Sequence, residues 1–453
     1  MKHARASSYI IPVKLKDGRY MLIHGYTGAV DIITEGLLKK IESVSQRTDL
    51  SFETIQTLQK RGYITNKNRE EEIAYVRKLA DVLGKRNSFC RKTFTLLVTY
   101  NCNFKCPYCY EQESVMKYPS FVISEKMVDH FFEMIPKIEP DEELWRRTID
   151  LFGGEPLLKE NKDRIKYIIK KGKERGFKFS ATSNGYDLVY YEELLSTDAI
   201  GVVQVTIDGS KYVHDSRRVH VTEIGSFDVI INNIEMSLRK GISIIVRINI
   251  DNTNVGEVVK LDKYFREKGF YLYDSFMVYA AYLGGEVNFN PETYNNEISL
   301  SGTYDDFFEV FKNKDHKVKH NYTLYNRLYN AIESKKSIPL SSCHCDSHYS
   351  NYVFDPLGNI YTCLELVGKK EHSIGTYNRA DLKWNENAAR WQERNISSIA
   401  GCNRCKYTLL CGGGCFAKVL RNPKCGDSYC GDFSTILGQV CNEVYFDLMN
   451  PYV

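Results

Sequence analysis

Six short apolar runs, most of them followed by an amphipathic stretch, confine the middle of this chain to one class of fold. The runs are FTLLV (94–98), TIDLF (148–152), KFSAT (178–182), VVQVTI (202–207), ISIIVRINI (242–250) and DSFMVY (274–279). Between them, Ile165, Ile168 and Ile169 mark one apolar helix face. Val229, Ile230, Ile234 and Leu238 mark a second, and Val258, Leu261 and Phe265 a third. Strands alternating with helices bury their faces as a parallel sheet with helices outside it. The expectation is an α/β fold, a partial (β/α)6 barrel over residues 91–300. In such architectures the chemistry sits on loops at the carboxyl ends of strands.

The flanks differ. Residues 1–90 carry three strand-like runs (SYIIPVKL, RYMLIHGY, AVDII) broken at Asp17-Gly18 and Thr27-Gly28. Three helical stretches follow, near 37–44, 51–61 and 70–83, which predicts a small winged-helix-like module. Past 300 the rhythm fades. Helices are expected over 303–313 and 320–334, and residues 301–453 are expected to form a bridging region and a cysteine-rich domain that needs metal to fold. The N-terminus has no secretory h-region, and no apolar run of about 18 residues suggests a membrane span. The net charge of +4 on 453 residues gives no general attraction to nucleic acid or membrane. A cytoplasmic location is expected.

Fourteen cysteines then become informative, because a reducing compartment disfavours structural disulfides. None lies between 110 and 342, whereas three lie between 102 and 109 and ten between 343 and 441. Such clustering points to metal or redox chemistry rather than to scattered buried thiols. Cys102, Cys106 and Cys109 follow the first strand directly, in the spacing C-x3-C-x2-C. Three thiolates on one tight loop can each bind a different iron of a cubane and leave the fourth iron open to a substrate. Zinc would want a fourth ligand nearby, and the next histidine, His130, falls in an expected helix.

This loop resembles the signature of the radical S-adenosylmethionine superfamily. The resemblance implies a [4Fe–4S] cluster whose open iron binds the amino and carboxylate groups of S-adenosylmethionine. One electron then splits the sulfonium and gives a 5′-deoxyadenosyl radical. It implies that Tyr108, before the last cysteine of the loop, packs near the adenine. Gly153-Gly154-Glu155-Pro156, after the second strand, resembles the family's GGEP motif, which binds the cofactor's ammonium group. Glycines permit close backbone approach and a carboxylate suits a cation. Ser183, at the end of the third strand, suits ribose or carboxylate, or belongs to an ordinary Asn-Gly turn. Thr206 to Gly209, His214, Asp215 and Arg218 resemble the segment that binds the cofactor and lines the substrate pocket. Arg218 either grips the methionine carboxylate or makes a surface ion pair. Arg247 and Asn249 lie in phase on the fifth strand and are expected to face the lumen. No side chain is singled out as catalytic.

Cys363 follows Gly358 at Gly-x4-Cys, and Cys402-x2-Cys405-x5-Cys411-x3-Cys415 comes later, then Cys425, Cys430 and Cys441. This resembles the SPASM extension with its two auxiliary [4Fe–4S] clusters, three clusters in all. The resemblance implies that Cys402, Cys405 and Cys411 hold one cluster, completed by Cys430 or Cys441, with a slight preference for Cys441. It implies that Cys415 joins Cys363 and one or both of Cys343 and Cys345 on the other. Cys90 and Cys425 are left as free thiols.

SPASM-bearing relatives include peptide maturases and sulfatase-maturating enzymes. The N-terminal module resembles the element by which maturases bind a leader peptide through strand addition. Sulfatase maturases carry an Asp straight after the Gly-x4-Cys cysteine; here that residue is Leu364, with Glu365 or Tyr361 as substitutes. The expectation is therefore a thioether-forming maturase of the sactipeptide or ranthipeptide kind. It would act on a cysteine-containing precursor peptide with a leader, fed by a flavodoxin- or ferredoxin-type donor. The alternative is an anaerobic sulfatase-maturating enzyme.

Overall fold

The computed structural model describes residues 4–44, 49–118, 120–251, 253–283, 317–320, 323–379, 381–422, 426–431 and 433–449. The chain divides into two units. One is Cys90–Asn321 with Tyr349–Trp391; the other is Met1–Phe89 with Tyr322–His348 and Gln392–Val453.

The second of these units begins with β1 (Arg5–Ala6), β2 (Ile10–Lys14), β3 (Tyr20–His24) and β4 (Val30–Ile33). Then come α1 (Glu35–Glu42), α2 (Phe52–Arg61), β5 (Ile64–Thr65) and α3 (Arg69–Asn87). β2, β3 and β4 form an antiparallel sheet, and β1 pairs with β5. Local chemistry sets the helix limits. Thr34 and Ser51 accept the free N–H groups of Leu37 and Thr54, and Asn68 with Glu71 makes a capping box. α2 stops at Gly62, whose φ of 96° is left-handed. A core of Leu22, Leu38, Ile41, Leu58 and Tyr63 holds sheet to helices. A second apolar cluster packs Tyr9, Tyr26, Val76 and Ala80 against Ile396, Ile399, Cys402 and Leu409. The N-terminal segment thus shares a core with the late cysteines.

The other unit is built on one large sheet. β6 (Lys92–Thr99), β7 (Trp145–Gly153), β8 (Lys178–Ser183), β9 (Ile200–Thr206), β10 (Ser243–Ile250) and β11 (Phe276–Tyr282) run parallel, each beside its successor. These are the six expected strands. Between them lie α4 (Gln112–Lys117), α5 (Glu125–Ile138), α6 (Lys162–Lys173), α7 (Lys211–Arg217), α8 (Phe227–Arg239) and α9 (Glu257–Glu267). The sheet extends at both edges. β12 (Lys319–His320) adds beside β11; β13 (Asn351–Phe354) adds parallel to β6 and leads into the meander β14 (Asn359–Tyr361), β15 (Gly375–Arg379) and β16 (Asp381–Trp384). Residues 349–391 therefore belong with the large sheet. Buried Tyr352, Val353, Phe354 and Ile360 give that stretch enough apolar surface to pair there.

Strand alternation separates the two faces. Thr206, Arg247 and Tyr279 are register partners across β9, β10 and β11. The adjacent row, Val205, Val246 and Val278, is fully buried on the other face.

A further helix, Glu386–Glu393, follows the meander, and α10 (Thr323–Glu333), α11 (Thr408–Cys411), α12 (Phe416–Arg421) and α13 (Phe433–Met449) lie in the unit that holds the N-terminal module. α10 matches the helix expected near 320–334; the one expected over 303–313, and Cys425, lie outside the described residues. Among the described residues, no helix is long and apolar enough to cross a membrane.

Candidate iron–sulfur and cofactor site

β6 ends at Thr99, and the chain leaves it as the loop carrying Cys102, Cys106 and Cys109. Backbone from two sides pins this loop. Lys105 N–H donates to Val219 O, and Val221 N–H to Asn103 O, both at 2.8 Å. Gly154 N–H donates to Thr99 O at 3.0 Å, and Glu155 N–H to Asn101 O at 2.8 Å. The second contact explains the paired glycines. Gly153 has φ +135°, and a Cβ there would lie 2.1 Å from Thr99 O; at Gly154 a Cβ would lie 2.4 Å from Tyr100 O and Asn101 O. Close approach is needed first of all to the cysteine loop itself.

Glu155 is fully buried and tightly held. Its Oε1 accepts from Leu157 N–H at 2.9 Å and Ser183 Oγ–H at 2.8 Å, and its Oε2 from Asn184 N–H at 2.6 Å. Burial pushes its carboxyl up to about 7 in spite of these bonds. Ser183 thus faces Glu155, and its Oγ also accepts from Gly185 N–H at 2.9 Å. Pro156 O accepts from Asn161 Nδ2 at 3.2 Å, which closes the turn after the motif.

Tyr108 is buried and its hydroxyl is claimed twice. It donates to Asp208 Oδ2 and accepts from Arg218 Nη1, the latter at 2.8 Å. Asp208 Oδ1 accepts from Asn249 N–H at 3.1 Å, so three segments of the chain meet at one phenol. Arg217 and Arg218 divide the work. Arg217 pairs with Asp251 at 2.9 Å and approaches Asp208 at 3.7 Å. Arg218 is buried too, yet its Nε has no hydrogen-bond partner, and its guanidinium lies 5.5 Å from the Phe104 ring. Thr206 is buried at the end of β9. Arg247 Nε donates to Asn249 Oδ1 at 2.8 Å.

The three loop thiols feel one another. Burial raises Cys102 well above the ordinary thiol value, helped by the Glu155 carboxylate, Cys106 and Cys109. Burial raises Cys106 as well, against the pull of Arg218, and pushes Cys109 up to about 12. Among the described residues, no three His, Cys, Asp or Glu side chains converge as a single ion would need. A cubane asks for no such convergence, because each thiolate takes a different iron.

The late cysteines form two sets within their own unit. Burial raises Cys402 and Cys411 to about 11; Cys411, Cys405 and Cys430 push Cys402 up further, and Cys430 acts in the same direction on Cys405 and Cys411. Cys441 stands apart. It is fully buried in α13, and burial alone pushes its thiol up. In the second set, Cys345 is raised to about 11 by burial and then by Cys415, and Cys343 Sγ accepts from Asn87 Nδ2 at 3.5 Å. Cys363, in the barrel unit, lies close enough to Tyr110 to influence its hydroxyl.

Known proteins resemble this arrangement. A family model described as a 4Fe-4S single cluster domain matches residues 90–229. The cysteine-type anaerobic sulfatase-maturating enzyme of Clostridium novyi (strain NT) is 22% identical over 346 residues, which is 72% of this chain and 88% of that protein. The GTP 3′,8-cyclase of Campylobacter fetus is 28% identical over 174 residues, 38% of this chain and 51% of the cyclase. Among solved structures, Streptococcus suis SuiB bound to precursor peptide SuiA has a TM-score of 0.53 at 14% identity, over 95% of this chain and 99% of SuiB. Native anSMEcpe with bound AdoMet and Cp18Cys peptide has a TM-score of 0.54 at 18% identity, over 80% and 98%. The chain carries the radical S-adenosylmethionine fold and its motifs.

The residues fit the groups that a radical S-adenosylmethionine enzyme holds. Three adjacent thiols sit on one pinned loop. Glu155, whose charge acts on Cys102, is a buried carboxyl that burial holds at about 7 although three hydrogen bonds reach it, so a cation beside it would favour its ionised form. Arg218 offers an unpartnered buried donor. Sequence reasoning passed over Arg217, Asp251 and the Gly412-Gly413-Gly414 turn. The triple glycine between two cysteines was visible in the sequence. How the two adjacent arginines, both buried, divide their partners was not.

Proposed function

We propose that this radical S-adenosylmethionine enzyme installs a thioether crosslink in a ribosomally made, cysteine-containing precursor peptide. The observation that carries the reading is the sheet-and-helix module of about 90 residues ahead of the cysteine loop, which shares its core with the late cysteines. SuiB, solved with a precursor peptide, matches 95% of this chain.

Cys102, Cys106 and Cys109 would hold the cluster. When bound, cluster and S-adenosylmethionine supply one-electron cleavage of the sulfonium and a hydrogen-abstracting 5′-deoxyadenosyl radical. Glu155 would meet the cofactor's amino group and Arg218 its carboxylate. Asp208 orients Tyr108 beneath the loop by holding its hydroxyl. Cys402, Cys405, Cys411 and Cys430 would hold one auxiliary cluster, and Cys415 with one or both of Cys343 and Cys345 would supply thiolates to the other.

The assignment of Cys430 has a direct test. Cys430→Ala should lower bound iron by about one cubane, roughly four irons per chain. Cys441→Ala should leave iron unchanged and cost about 1–2 kcal/mol of stability, as small cavities do. The reverse pattern in iron analysis would exchange the two roles.

Similarity to the Clostridium novyi enzyme favours a second reading, formylglycine formation on a sulfatase. The residues near Cys363 fit it less well. Tyr361 is buried in an apolar cluster with its hydroxyl 3.5 Å from Asp355, so it offers no exposed base, and Leu364 cannot serve as one; the exposed carboxylate of Glu365 is the one substitute left to that reading. Mass spectrometry of peptide products separates the readings. A thioether link removes two hydrogens and keeps the sulfur; formylglycine replaces the thiol by a carbonyl oxygen. Loss of sulfur from a cysteine peptide would overturn the thioether reading. Removal of residues 1–88 is a poor probe of leader binding, because it would strip Tyr9, Tyr26, Val76 and Ala80 from a core that includes Cys402.

A further inference from the structure

The unit of the late cysteines contains a buried cation that the proposed function does not use. Arg394 directly follows the helix Glu386–Glu393 and is 8% exposed. Its Nη2 donates to Gly413 O at 3.1 Å and Asp427 O at 2.9 Å, and its Nη1 to Gly414 O at 3.5 Å. Its guanidinium stands 4.7 Å from the Phe416 ring centre. All three hydrogen bonds end on neutral carbonyls; the Asp427 carboxylate acts on it through space, but among the described residues no carboxylate forms an ion pair with it. Its charge is felt by Cys402 in one set of thiols and by Cys415, Cys345 and Cys343 in the other.

The glycine turn that Arg394 grips joins the same two sets. Gly412, Gly413 and Gly414 all adopt positive φ, at 70°, 81° and 75°. A Cβ on Gly412 would fall 2.3 Å from Cys343 O, and one on Gly414 1.8 Å from Tyr429 O, next to Cys430. The turn between Cys411 and Cys415 therefore packs against the segments that carry Cys343 and Cys430, and Arg394 ties it down from inside.

We propose that Arg394 is a positioning residue that raises the reduction potential of the C-terminal clusters by holding one fixed positive charge among the thiolates of both. Reduction adds one electron, and so one negative charge, to a cubane. A buried cation nearby stabilises that reduced form, because net charge and burial are among the protein's levers on cluster potential. The inference rests on the reading that these cysteines hold clusters.

The test uses full-length protein with Cys102, Cys106 and Cys109 all replaced by alanine, so that paramagnetic signals come from the C-terminal clusters. Dithionite supplies the electron in a redox titration followed by electron paramagnetic resonance, with iron content measured alongside. Arg394→Gln should keep its iron and show a reduced-to-oxidised ratio about tenfold lower at a fixed poise, about 59 mV for a one-electron couple. Arg394→Lys should keep both iron and potential within about twofold of the parent. An Arg394→Gln variant with full iron and the parent potential would overturn the proposal. Loss of iron from both variants would overturn it too and leave Arg394 a structural strap of the glycine turn. A parent protein with no cubane signal at all would instead overturn the cluster reading, whatever the role of Arg394.

Discussion

Replacing Cys106 by alanine is expected to reduce formation of 5′-deoxyadenosine to background and to remove about four irons per chain, while the signals of the C-terminal clusters persist. The loop itself carries no fourth cysteine to compensate. Its neighbours include backbone groups, the occupied Tyr108–Asp208–Arg218 cluster, and the buried carboxylates of Glu111 and Glu155, which are poor substitutes for a thiolate on a cubane. Iron analysis with chromatography of the nucleoside products after reduction checks this. A Cys106→Ala protein that cleaves S-adenosylmethionine at the parent rate would remove the loop from the chemistry. The same experiment with Cys90→Ala should change neither quantity, since Cys90 lies ahead of β6 and outside the loop.

Glu155 gives the second large effect, and it depends on pH. Burial raises the carboxyl from 4.5 to about 7, so below that value the folded chain holds it protonated. A protonated carboxyl meets a cationic or amine donor poorly. Affinity for S-adenosylmethionine should therefore fall about tenfold for each pH unit below about 7 and level off above it. Without cofactor the sign reverses for stability. A carboxyl raised in the fold favours the folded state below its unfolded value, and that contribution is lost as the pH rises from 4.5 through about 7. Glu155→Gln should weaken cofactor binding by about 2 kcal/mol, roughly a factor of 30, and abolish the pH dependence. Equilibrium binding to cluster-loaded protein at a series of pH values measures both. A pH-dependent affinity that survives in Glu155→Gln would assign the titration to another group.

Much of this site could be read without coordinates, because its signals are local. Thiolates spaced C-x3-C-x2-C must share one loop wherever the chain goes next. Apolar runs that alternate with amphipathic stretches must form parallel strands, and the six expected runs became β6 to β11. The sequence spacing also placed Gly153 and Gly154 one βα unit later. Only the fold revealed that their missing Cβ atoms let backbone press on Thr99 and Asn101.

What sequence could not decide are matters of which distant residue arrives. The Tyr108 hydroxyl meets Asp208 and Arg218, about a hundred residues along the chain, because β9 carries them back to the loop after β6. Arg217 and Arg218 are neighbours with one chemistry, and the turn at the end of α7 sends them to different partners. Sequence left both Cys430 and Cys441 as candidates for the last ligand, with a slight preference for Cys441. The left-handed glycine turn brings the Cys430 segment to Cys411, while helix α13 buries Cys441 elsewhere. Ligand type and loop spacing are local properties, fixed by the order of residues. Convergence of side chains from separate segments depends on packing, and packing exists only once the chain has folded.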